Sequence, residues 1–199
     1  MNIQNLLLIA PPILLALSFH EYAHAYIANK FGDDTAKQSG RLTLNPLAHL
    51  DPIGTIMIFL VHYRLRNPKR DMLWISAAGP LANMILALIS GILLRFIAIV
   101  GATNQHSIIG LLIYAVFMSL RINLALAIFN LLPIAPLDGS KILFGLLPVK
   151  HEGKIYFLER YGPFVLLGLI IFGRVTDVHI LGGLIWPFVK FFSKIFSGI

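Results

Sequence analysis

The residues best placed for chemistry are His20-Glu21-Tyr22-Ala23-His24. Positions i and i+4 of a helix lie one turn apart on the same face, so both imidazoles can reach one metal ion. Glu21 is then placed to approach a water on that ion. This is the arrangement of a zinc hydrolase. Two histidines leave a catalytic zinc one protein ligand short, and the chain contains no cysteine, so the third ligand must be His or carboxylate. Asp33, Asp34, Asp51, Asp71 and Asp177 fall in predicted loops or at the ends of apolar segments. Asp138 instead follows a long apolar segment, in Asn130-Leu131-Leu132-Pro133-Ile134-Ala135-Pro136-Leu137-Asp138-Gly139. One Zn2+ per chain, held by His20, His24 and Asp138, is the expectation.

The elements that must position these residues are membrane helices. Of 199 residues, 57% are apolar or aromatic and 13% are charged, against roughly 25% charged in soluble domains. At a mean hydropathy of +0.80 the net charge of +7 is too thinly spread for a phosphate-binding face, which excludes nucleic acid as a partner. Met1 to Ser18 carries no charged side chain and so lacks the basic start of a cleavable signal; it reads as a retained span. The long, period-free apolar stretches predict an all-α polytopic membrane protein, one integral-membrane domain over residues 1–199. Five crossings are expected, at about 3–28, 72–100, 108–133, 162–172 and 180–196. Residues 53–61 would span only about 14 Å as a helix and read as a short re-entrant piece. Gly40 to Pro46 alternates polar and apolar residues and reads as a small membrane-associated strand within a strand and re-entrant region over 40–62. A surface loop reads equally well there.

Lys30, Lys37, Arg41, Arg64, Arg66, Lys69 and Arg70 crowd one connection, whereas Gly101 to Ser107 has no Lys or Arg. The positive-inside rule then puts residues 30–70 in the cytoplasm, the N-terminus outside, the C-terminus inside and the metal centre near the cytoplasmic side. At about 1.5 Å per residue, His20 lies roughly 21 Å from Leu6 and Asn130 roughly 33 Å from Ile108, so both approach the same boundary. Pro133 and Pro136 unwind the chain beyond Asn130, which lets Asp138 turn back. Asn130 either donates to a developing oxyanion or caps the broken helix. Two histidines and a carboxylate in an apolar helix cost several kcal/mol unless they are coordinated, paired or wet. The bland alternative is a polar cluster that joins neighbouring helices.

These residues resemble the site-2 protease family of intramembrane zinc metalloproteases, in a compact form without PDZ or CBS domains. The resemblance covers nearly the whole chain. It rests on His20-Glu21-x-x-His24, on Asn130, Pro133, Leu137, Asp138 and Gly139 as N-x-x-P-x-x-x-L-D-G, and on Ala78-Gly79-Pro80-Leu81-Ala82-Asn83. It implies zinc on His20, His24 and Asp138, Glu21 as catalytic acid and base acting on zinc-bound water, and Asn130 and Pro133 beside the substrate. Gly40 to Pro46 resembles the family's strand element, where Arg41, Leu42, Thr43 and Leu44 would pair with an unwound substrate. Gly79, Asn83 and Gly139 are expected to support the ligands or pack the helices. The chain departs from many relatives between Ile53 and Asn67, where a longer Gly/Pro-rich hairpin is common.

The implied reaction is hydrolysis of peptide bonds within or near transmembrane segments, in the cell membrane of a prokaryote. Its partners are membrane-protein substrates with a transmembrane helix, the lipid bilayer and separate regulatory proteins. The competing function is a zinc-binding transporter or scaffold without hydrolysis, which Glu21→Gln would leave intact. His49, His106, His151 and His179 have no second ligand at helical spacing and read as solvated or span-edge groups, whereas His62 adjoins the basic cluster Arg64 to Arg70, which reads as a topology determinant and anionic-lipid contact. Arg95 is near enough to a span end to snorkel. Arg121 lies mid-span and should line a wet cavity or meet a partner on another helix.

Overall fold

The computed structural model describes residues 3–49, 65–100, 108–148 and 152–198. Seven α-helices occur among them: α1 (Ile3–Lys30), α2 (Thr35–Gln38), α3 (Pro68–Val100), α4 (Ile108–Asn130), α5 (Asp138–Leu146), α6 (Glu152–Thr176) and α7 (Ile180–Ser197). A single 3-10 turn, Pro46–His49, follows α2. Local chemistry sets the boundaries. Pro68 opens α3, where its missing N–H costs nothing, and the Asp71 carboxylate turns back to accept from the Asn67 N–H at 3.0 Å. Gly198, at φ +76, ends α7 in the left-handed conformation that favours glycine.

Among the described residues, four helices are long and apolar enough to cross a membrane: α1 over Leu6–Lys30, α3, α4 and α7. Side-chain bonds fix their directions. Asn83 of α3 bonds Asn123 of α4 while Ser90 bonds Ser119, so α3 and α4 run antiparallel. Asn83 meets Ala16 and His20 of α1 and Ile75 meets His24, so α1 is also antiparallel to α3 and therefore parallel to α4. This is the relation that brings the C-terminal portions of α1 and α4 together. Ala87, Leu94, Leu120, Leu124 and Val189 form the buried apolar core between α3, α4 and α7. At Gly91 an added Cβ would lie 2.6 Å from the Cβ of Phe196, so the glycine lets α3 and α7 touch, as small residues do between membrane helices.

Three expectations change. The segment 162–172 is part of α6, which is not among the four candidate spans; α6 packs on α5 and on α7. The Arg95 guanidinium of α3 donates to the Ile195 carbonyl of α7, so the C-terminal end of α7 lies beside the C-terminal end of α3. Both ends of the four-helix set thus sit at one end of the bundle. Arg95 accordingly caps a neighbouring helix. Within Gly40 to Pro46 the chain turns at Gly40, bends over Leu42 to Leu44 and enters the 3-10 turn at Pro46, and no strand occurs among the described residues. There the Asn45 N–H bonds Thr43 Oγ1 and the Leu47 N–H bonds Asn45 Oδ1, local side-chain bonds that compete with a strand ladder. The expected re-entrant piece at 53–61, His62, and the connection 101–107 lie outside the described residues.

Arg121 finds its partner on another helix. Its guanidinium lies 4.7 Å from the ring centroid of Trp186 on α7 and 5.6 Å from that of Phe117 on α4. Cation–π contact of this kind offsets part of the cost of a cation within an apolar span.

Candidate metal centre

α1 presents His20 and His24 on one face, and α5 begins with Asp138 opposite them. His20 Nε2 lies 3.0 Å from His24 Nε2, and Asp138 Oδ2 lies 3.1 Å from the first and 3.2 Å from the second. Asp138 reaches this point through the break after α4. Pro133 and Pro136 interrupt helical bonding, Leu137 N–H bonds the Ile134 carbonyl, and Ser140 Oγ caps the turn by donating to the Leu137 carbonyl at 2.7 Å. Gly139 is required at this return: an added Cβ would strike the Leu131 and Leu132 carbonyls. Among the described residues, His20, His24 and Asp138 are the one group able to hold a metal ion.

The protonation of the histidines follows from their outer partners. His20 Nδ1 faces Asn83 Oδ1 at 2.7 Å, and His24 Nδ1 faces the Ile75 carbonyl at 2.7 Å. Both partners only accept, so both Nδ1 atoms carry the hydrogen, and both Nε2 atoms turn lone pairs inward. Asp138 Oδ2 is buried with no hydrogen-bond donor. Three lone-pair atoms therefore converge with nothing between them to offset their repulsion, which is the arrangement a cation resolves. Ligand atoms of a tetrahedral zinc at about 2.0–2.1 Å stand about 3.3 Å apart, close to the separations seen. The residues fit zinc.

α3 supplies the wall behind the site. An added Cβ at Gly79 would lie 2.7 Å from His20 Nε2 and nearer still to His24 Nε2, so no larger residue fits against the imidazoles. Pro80, inside α3, gives no N–H to the Ser76 carbonyl, which opens the helical ladder beside the Ile75 carbonyl that His24 uses. Glu21 is exposed while His20 is buried. Asn130 donates its Nδ2 to the Leu126 carbonyl at 3.0 Å, a bond within its own helix. Pro133 is exposed, and the Arg41 to Leu44 segment is not a strand.

Three contributors were not singled out from the sequence. The Ile75 carbonyl is a backbone group that no motif reveals. Asn123 carried a usable signal, as a polar residue inside an apolar helix. Lys141, one turn beyond Asp138, lies within electrostatic reach of Asp138, Glu159 and Glu21; burial pushes its ammonium below the ordinary lysine range, and those charges only partly offset it.

Comparison with known proteins agrees with this centre. Peptidase family M50 matches residues 95–169, which contain the Asn130 to Gly139 element. YwhC of Bacillus subtilis (strain 168), named as a zinc metalloprotease, is 37% identical over 93% of this chain and 90% of its own length. The chain belongs to peptidase family M50. The resemblance to site-2 proteases is thereby borne out, and the chain is an integral-membrane zinc metalloprotease. Zinc metalloprotease MJ0392 of Methanocaldococcus jannaschii is 28% identical over 90% of this chain and 46% of its own. Rip2 of Mycolicibacterium smegmatis is 27% identical over 79% of this chain and 64% of its own. No solved structure matches.

Proposed function

We propose that this M50 peptidase cleaves peptide bonds within or near the transmembrane segments of membrane proteins, with His20, His24 and Asp138 as zinc ligands and Glu21 as acid and base. The observation that carries the reading is the convergence of Nε2, Nε2 and Oδ2 at 3.0–3.2 Å between helices built to lie in lipid. Bound zinc supplies Lewis acidity, lowering the pKa of water and polarising the scissile carbonyl. The chain supplies the rest. Asn83 and the Ile75 carbonyl hold the imidazoles in the ligating tautomer. Glu21 accepts the proton of the attacking water and returns it to the leaving amine. Glu21 is exposed, and water and an unwound substrate segment approach the centre from its side. The end of the bundle carrying Lys30, Arg66, Lys69 and Arg70 faces the cytoplasm of a prokaryotic cell, by the positive-inside rule.

The test is cleavage of a panel of single-span substrates in defined lipid by wild type and Glu21→Gln, with zinc measured on both. Loss of a general base is expected to lower the rate by about 10²–10⁴-fold with zinc content unchanged. Full cleavage by Glu21→Gln overturns the assignment. Metal-dependent flux or partner binding without cleavage in either protein would instead establish a transporter or scaffold.

A further inference from the structure

Asn83 is fully buried and Asn123 is 1% exposed, and together they form a chain of bonds whose direction is forced. Asn123 Nδ2 lies 2.9 Å from the Ser119 carbonyl, a group that only accepts. Asn123 therefore turns Oδ1 to Asn83, 2.9 Å from Asn83 Nδ2. Asn83 Nδ2 also lies 3.2 Å from the Ala16 carbonyl. With its amide nitrogen committed to two acceptors, Asn83 shows Oδ1 to His20 Nδ1, and Nδ1 must hold the hydrogen. Each amide has two orientations in isolation; here two backbone carbonyls, on α1 and α4, leave one for the set.

We propose that Asn123 is a positioning residue for the metal centre. By accepting from Asn83 it locks the amide that fixes the His20 tautomer, so that Nε2 offers its lone pair to zinc. The proposal rests on His20 being a zinc ligand. Without Asn123 the Asn83 amide keeps one anchor, at Ala16, and the His20 ring is freer to turn and to take the Nε2–H form, which cannot ligate.

The experiment uses the purified full chain in detergent. Zinc affinity is measured by competition with a chromophoric chelator, and the imidazole tautomers of the zinc-free protein are read by 15N NMR after histidine labelling, with His20→Ala identifying the His20 signals. Removing a direct partner of a ligand costs 10–100-fold in metal affinity; one step further out, Asn123→Leu and Asn123→Ala should each weaken zinc binding by about 3–10-fold and mix the His20 tautomers. Leu124→Val, which loosens the adjacent core without touching the amides, should lower the unfolding temperature and leave zinc affinity and tautomer unchanged. Wild-type affinity and an unmixed Nδ1–H signal in the folded Asn123 variants would overturn the proposal. So would an equal loss in Leu124→Val, which would show a packing effect. A His20→Ala protein that binds zinc as tightly as wild type would overturn the ligand reading itself, and this proposal with it.

Discussion

Two groups of polar side chains lie among the apolar helices, and they are held in opposite ways. Around His20 every orientation is dictated: Asn123, Asn83 and the carbonyls of Ala16, Ser119 and Ile75 each impose a donor or an acceptor. Around Arg121 the partners are the ring faces of Trp186 and Phe117, which attract a cation from a range of angles and specify no hydrogen atom. The first arrangement suits a metal, whose ligands must point within narrow limits. The second suits a contact between α4 and α7 that only has to tolerate a charge at depth. On the proposed reading, one cluster governs chemistry and the other governs packing.

The two should separate under mutation. The largest effect is expected from Gly79→Ala, which puts a methyl against both imidazoles; zinc content by elemental analysis should fall to background, and a folded variant with full zinc would show that the wall is not needed. Next, Asn83→Leu should weaken zinc binding by about 10–100-fold while the helices remain associated, because it removes the acceptor that orients His20. Retained affinity would mean the amide only packs. The smallest effect on chemistry belongs to Arg121→Leu. It should cost about 0.5–2 kcal/mol of stability, read as a lower unfolding temperature, with zinc affinity and cleavage unchanged. A loss of zinc in that variant would abolish the division between the two clusters.

The ligand set was legible because spacing and scarcity act together. His20 and His24 share a face by helical period alone, and in a chain with so few carboxylates Asp138 stands out after a proline-broken span. The spans α1, α3, α4 and α7 were legible for the same reason: lipid demands long apolar runs, and these are visible without partners. Residues 162–172 are apolar, and in the fold they belong to a longer helix that packs on α5 and α7. Arg41 to Leu44 alternated like a strand, but Thr43 and Asn45 bond the local backbone. Alternation proposes a strand only if an edge is present to pair with.

Sequence by itself determined that this is a membrane protein with a two-histidine, one-glutamate motif and a distant aspartate, because apolar content and helical spacing are local properties. Tertiary structure decided what those residues become. Only the antiparallel fit of α3 against α1 and α4 sets Asn83 behind His20 and the Ile75 carbonyl behind His24, and only the close approach at Gly79 leaves space for the imidazoles. Those contacts join residues 51 to 63 positions apart. Their hydrogen-bond directions depend on which backbone carbonyls happen to lie alongside, a matter of packing that no local pattern records.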